Sequence, residues 1–278
     1  MPDLRVSVLG TLEIEYTGRP LVELTSMKAQ ALLVYLAATA RTHPRQALAG
    51  LLWSDVMERS ARTSLRTVLS QLRKSVGDTV LADRHSVSMN PDRPYEIDVH
   101  LFEESCRRVQ AGEWVDLTTL HALRRGVDLY RDEFLADFPE TDAALFEEWV
   151  LGQREHYRRL AVAARQGLAD AALASNRPED GIEDARRALA LDPLHEPAHR
   201  SLMALYAASG QRSAALRQYE ACAQLFAEEL GTSPSDETVA LHADIHRSDY
   251  SGGADVSARP VTSAPLEPVR PAAPRHNL

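Results

Sequence analysis

Several absences narrow what this 278-residue chain can be. It has only two cysteines, Cys106 and Cys222, too few for a disulfide framework or a zinc knuckle. Aromatics are 6% of the chain, which disfavours a large aromatic-lined cofactor pocket. No run of apolar residues approaches the roughly 18 needed to span a bilayer, so no membrane contact is expected. The opening Met1-Pro2-Asp3-Leu4-Arg5-Val6 shows no basic leader followed by a long apolar stretch, and the chain reads as cytoplasmic. No G-x-S-x-G elbow, P-loop or Gly-rich dinucleotide turn is present, so neither an enzyme nor a bound cofactor is expected. Lysine is nearly missing: of 31 basic residues only Lys28 and Lys74 are lysine.

The net charge is −9, but it is unevenly spread. Residues 1–97 hold 12 basic and 10 acidic residues, whereas residues 98–250 hold 16 and 28. An anionic partner would therefore dock on the front third.

Residues 4–24 alternate as short strands. Leu4, Val6 and Val8 come first, then Leu12, Ile14 and Tyr16, then Leu21, Val22 and Leu24, with turns near Gly10 and Gly18. Thr25 or Ser26 caps a first helix whose apolar set is Ala29, Leu32, Leu33, Leu36 and Ala37. A short second helix over 45–53 is expected to bury Leu48, Leu51, Leu52 and Trp53. A third helix over 58–76 stops at Gly77. Weaker strands at 80–81, 86–89 and 95–97 read as a terminal hairpin. Beyond residue 98 the pattern is helical, and a self-match at an offset of 34 aligns Ala174-Ser175-Asn176 with Ala208-Ser209-Gly210, the period of a tetratricopeptide unit. After Tyr250 five prolines mark a linker or disordered tail. The expected class is thus mainly α: a winged helix-turn-helix (α+β) domain at 1–97, an all-α tetratricopeptide-like helical repeat domain at 98–248, and a tail at 249–278.

The third helix carries the functional signal. At 100° per residue, Ala61, Leu65, Val68, Leu69, Leu72 and Val76 fall in one sector, the core face. The opposite face carries Arg59, Thr63, Arg66, Thr67, Ser70, Arg73 and Lys74, flanked by Arg62, and no acidic residue lies between Arg59 and Val76. A solvated face normally mixes signs to form i,i+4 pairs. Short hydroxyls between arginines suit a major groove, where guanidinium forks onto guanine or phosphate and a small side chain lets the backbone approach. Lys28 and Arg45, near helix starts, are candidate phosphate contacts. Arg84 and His85, at the tip of the terminal hairpin, are candidates for the contacts of a wing.

One motif points elsewhere. His195-Glu196-Pro197-Ala198-His199 matches the H-E-x-x-H zinc pattern. That chemistry needs both histidines on one helix, whereas Pro197 belongs in a first turn, so the helix should begin near Glu196 with His195 outside it. No metal is expected there, and a metallohydrolase is the weaker rival. The other alternative is a helical-repeat protein-interaction adaptor whose front domain contacts protein and not DNA.

Leu48-Ala49-Gly50-Leu51-Leu52-Trp53, with the run from Ala61 to Lys74, resembles the N-terminal domain of the SARP family of bacterial transcriptional activators. Val6-Ser7-Val8-Leu9-Gly10 and Asp98-Val99-His100-Leu101-Phe102-Glu103 fit as well, and the run from Leu189 to Arg200 resembles the family's bacterial transcriptional activation domain. The resemblance implies an OmpR-type winged helix-turn-helix, binding at promoter repeats and recruitment of RNA polymerase. The partners expected are double-stranded promoter DNA, RNA polymerase and, on DNA, a second copy of the chain as a homodimer. The family closes its wing with a Gly-Tyr-containing strand, and the stretch from His85 to Asn90 departs from that pattern. Arg275-His276-Asn277-Leu278 resembles the approach to the nucleotide-binding ATPase domain of larger members, which implies such a domain beyond residue 278.

Overall fold

The computed structural model describes residues 2–114 and 116–247; the tail reading lies outside the described residues. The described residues divide into two compact units, one of residues 2–103 with 129–157, the other of residues 104–114, 116–128 and 158–247.

In the first unit, β1 (Leu4–Ser7), β2 (Glu13–Tyr16) and β3 (Arg19–Pro20) run antiparallel in sequence, and β7 (Tyr95–Ile97) joins β1 in parallel, giving the order β3-β2-β1-β7. The register pairs Val6 with Ile14 on one side and with Ile97 on the other, which buries all three apolar side chains together. Two expectations are corrected here. The third strand is Arg19–Pro20, not Leu21–Leu24, because the turn at Thr17 and Gly18, both with positive φ, is tight enough for pairing to resume at once. Val22 is left exposed. The segment 95–97 likewise leaves the hairpin and closes the front sheet.

Helix α1 (Met27–Thr39) is capped by the Ser26 hydroxyl, which accepts from the Ala29 amide. Every residue from Ala31 to Ala37 is buried, so α1 is the central helix of the unit. Helices α2 (Arg45–Leu52) and α3 (Glu58–Val76) pack on it and on each other. Strand β4 (His43–Pro44) then pairs with β6 (Ser86–Met89), which pairs with β5 (Val80–Ala82). This is a helix-turn-helix with a hairpin wing. Trp53, expected in the core, is only partly buried: α2 stops at Leu52, and the indole lies under the Lys28 ammonium, 5.9 Å from the ring centre.

Residues 98–103 and 129–157 pack with this unit. The physical ties are specific. The buried Asp98 carboxylate, at the start of α4 (Asp98–Gln110), accepts from the Val8 and Leu9 amides at 2.9 and 3.0 Å. The Leu135 amide donates to the Val8 carbonyl at 2.8 Å. Trp149 meets Tyr35 edge-on at 4.9 Å and Phe134 at 5.5 Å.

The second unit is helical. It contains α5 (Leu117–Val127), the later part of α6 (Ala144–Ala174), α7 (Pro178–Leu191), α8 (Glu196–Ala208), α9 (Arg212–Glu229) and α10 (Asp236–His246). Successive helices stack as pairs around Ala169, Ala185, Leu202, Leu205 and Tyr206. The 34-residue offset has a backbone counterpart: Asn176 and Gly210 both take positive φ, two residues before α7 and α9 begin. Asparagine and glycine tolerate that conformation best. Arg165, nearly sealed from solvent, holds Asp184 at 2.9 Å and Asp128 at 2.7 Å, and Arg124 reaches the same Asp184 at 2.8 Å. This pins α5, α6 and α7 together. Among the described residues no helix is long and apolar enough to cross a membrane.

Candidate nucleic-acid interface

Helix α3 is built for two different faces. Its buried residues are Ala61, Leu65, Val68, Leu69, Leu72 and Val76, the apolar sector read from the sequence. Glu58 in its first turn and Arg73 with Lys74 in its last turn complement the helix dipole. Gly77, with φ of 60°, ends it. Arg59, Arg62, Thr63, Arg66, Thr67, Ser70, Arg73 and Lys74 are all exposed.

Their polar groups are not equally free. Arg62 is taken by Glu58 at 2.5 Å, an i,i+4 pair whose acid lies just before the carboxylate-free stretch. The Thr63 hydroxyl donates to the Arg59 carbonyl at 3.0 Å, and Thr67 donates to the Thr63 carbonyl at 3.3 Å. Arg73 donates to the Ala82 carbonyl of β5 at 2.8 Å. Among the described residues Arg59, Arg66, Lys74 and Arg84 have no ion-pair partner.

The wing is tied to the same face. Arg45, at the start of α2, donates through its guanidinium to the Asp83 carbonyl at 3.0 Å, and its amide donates to the His85 carbonyl at 2.8 Å. A groove between α3 and β5 is lined by Arg45, Arg66, Leu69, Ser70, Arg73, Lys74 and Ala82, with no carboxylate among them. Arg84 and His85 are exposed at the hairpin turn.

Lys28 is not brought into this cluster. Its ammonium donates to the Leu52 carbonyl at 2.7 Å, at the negative end of α2, and sits over Trp53. Burial lowers its pKa, with Asp142, Asp55 and Glu147 pulling it back up. The helix-start argument for a phosphate contact therefore meets a competing use of the same charge inside the fold.

Asp83 is the residue that sequence reasoning missed. Its carboxylate accepts from the His85 amide at 2.6 Å and from the Ser86 amide and hydroxyl at 2.7 and 2.9 Å. Those bonds, the His85 amide first, hold its pKa below the ordinary 3.8. The signal was the spacing Asp83-Arg84-His85-Ser86, an Asx turn that fixes where the tip points.

The H-E-x-x-H residues are drawn in three directions. Helix α8 begins at Glu196 with His195 outside it, as Pro197 required. His195 bonds Gln166, while His199 bonds the Pro193 carbonyl and Gln218 through its two ring nitrogens. Glu196 accepts from Ser235 and Thr238. Among the described residues no group of three or more His, Cys, Asp or Glu is placed to hold a metal.

The family described as bacterial transcriptional activator domain matches residues 97–246. Regulatory protein AfsR of Streptomyces griseus is 27% identical over 256 residues, covering 88% of this chain and 25% of that protein. Regulatory protein DnrI of Streptomyces peucetius is 26% identical over 266 residues, covering 88% of this chain and 93% of that protein. A solved structure, Mycobacterium tuberculosis EmbR in complex with low affinity phosphopeptide, matches with a TM-score of 0.65 at 22% identity, covering 89% of this chain and 66% of that chain. At that identity the likeness is one of fold. The chain spans a quarter of the length of the AfsR relative and just under two thirds of the EmbR chain.

Proposed function

The chain belongs to the bacterial transcriptional activator domain family, as a SARP-type transcriptional activator, and from that premise we propose that it binds promoter DNA by laying α3 in a major groove. The observation that carries this reading is α3 itself. One face is sealed in the core, and the other presents exposed cations and hydroxyls beside a carboxylate-free groove under the wing. Helix, turn and hairpin stand in the order that docks a second helix against base edges while flanking groups hold the backbone. In this reading Arg59, Thr63, Arg66, Thr67, Ser70, Arg73 and Lys74 face DNA, Arg45 supports the groove, and Arg84 and His85 contact the flanking strand from the wing.

The helical repeats serve protein partners. Residues 98–250 carry a net charge of −12, which phosphates repel, and this favours recruitment of RNA polymerase over a second DNA contact. The chain acts in the cytoplasm, at repeated promoter elements, where two copies can bind side by side.

The test is fluorescence anisotropy of labelled duplexes over a range of salt. Each phosphate contact contributes a slope of about −0.9 in log K against log salt. A steep slope with preference for a selected sequence supports the reading. Binding that is absent at low salt, or a flat salt response, refutes it and leaves the front domain to a protein partner.

A further inference from the structure

The side chains around α3 differ in what their polar atoms are already doing. Thr63 and Thr67 are exposed on the side away from the core, and each donates its hydroxyl to the carbonyl one turn back. A threonine bonded this way has used its only donor. What it offers a partner is a methyl group and the two acceptor lone pairs of its oxygen.

The cations are arranged otherwise. Arg45, Arg66, Arg73 and Lys74 surround the single groove between α3 and β5. Arg45 and Arg73 are braced by the Asp83 and Ala82 carbonyls, each through one nitrogen. A guanidinium has five N–H donors, so both retain most of theirs. Four positive groups around one groove with no carboxylate in its lining suit a continuous polyanionic strand better than a single base edge.

Resting on the reading of α3 as the major-groove helix, we infer a division of labour across its exposed face and the adjoining groove. Thr63 and Thr67 read thymine through methyl–methyl contact, and the groove of Arg45, Arg66, Arg73 and Lys74 cradles one phosphate strand without selecting sequence. The C5-methyl of thymine is the one apolar feature of the major-groove edge, and a threonine methyl is a recognised partner for it. Sequence preference then survives loss of a groove arginine, although affinity does not.

The test uses the full chain with duplexes it recovers from random DNA, the same duplexes with deoxyuridine in place of thymidine, and scrambled duplexes. Removing one contacted thymine methyl is expected to weaken wild-type binding about fourfold, the equivalent of one buried methyl group. Thr63→Val and Thr67→Val keep the preference and the deoxyuridine effect, whereas Thr63→Ser and Thr67→Ser each lose both at the thymine that residue contacts. Arg66→Ala and Arg73→Ala weaken selected and scrambled duplexes alike and lower the salt slope by about 1. Thermal melts confirm that the variants fold.

Valine variants as damaged as the serine ones would hand readout to the threonine oxygen and overturn the assignment. So would an Arg66→Ala protein that loses preference but binds scrambled DNA normally. Either outcome leaves DNA binding itself standing, whereas recovery of no duplex at low salt overturns both the DNA reading and this assignment.

Discussion

Replacing Gly181 with alanine should destabilise the protein, although alanine is the better helix former. Gly181 lies in the first turns of α7 and is buried. A Cβ there would stand 2.9 Å from the Ala172 Cβ, 3.0 Å from the Ala169 carbonyl oxygen and 3.0 Å from a Leu205 methyl. Carbon–carbon contacts are optimal at about 3.5–4.0 Å. Two of the three neighbours are backbone or Cβ atoms of α6, so relief requires α6 or α7 to move as a body. The propensity gain is about 1 kcal/mol, and overpacking a core by one methyl costs about 1–3 kcal/mol. Because the obstruction is rigid, the upper part of that range applies, for a net loss of about 1–2 kcal/mol. That is a fall of roughly 2–8 °C in melting temperature. Gly152, inside α6, has nothing within 4 Å of its would-be Cβ. Gly152→Ala should therefore show the propensity gain alone, up to about 1 kcal/mol. Melting by far-UV circular dichroism measures both. A Gly181→Ala protein as stable as wild type would refute the close approach of α6 and α7.

Arg165→Met should lower stability by about 2–4 kcal/mol, near the range for breaking a buried pair but moderated because Arg124 still holds Asp184. Adding Asp184→Leu should recover part of that loss in urea denaturation. Leu72→Ala, at a fully buried position, should cost about 2–5 kcal/mol, and Trp53→Ala less, since its ring is only partly buried. Asp83→Ala should speed hydrogen exchange at the His85 and Ser86 amides and weaken DNA binding through a loosened wing. The Asp83 pKa is depressed on folding, so its contribution is present above pH about 4 and is lost as pH falls through the lower folded value. Exchange at the two amides, followed against pH, should rise only on that acid side.

What the sequence made legible was periodic and local. The two faces of α3 followed from a 3.6-residue repeat over 19 residues, and each buried position matched. The start of α8 followed from proline chemistry at Pro197. Contacts set by distant residues were hidden. The parallel pairing of β1 with β7 joins segments about 90 residues apart, and nothing in Tyr95-Glu96-Ile97 distinguishes it from a hairpin strand. Trp149 sits in an apolar helical pattern, but nothing in the sequence shows that its ring packs against Tyr35 and Phe134. The candidate site divides in the same way. The cationic stripe was visible, whereas the bracing of Arg45 and Arg73 depends on carbonyls of the wing. Lys28 looked like a free charge because the carbonyl end of α2 and the Trp53 ring come to it only in the folded unit.

The most direct test of the central claim is the salt dependence of full-chain affinity for a selected duplex, wild type beside the Arg66→Ala/Arg73→Ala double variant. The account predicts a steep slope for wild type and a slope shallower by about 2 for the variant, one unit per lost phosphate contact. Identical slopes and affinities for the two folded proteins would show that this face of α3 does not meet DNA.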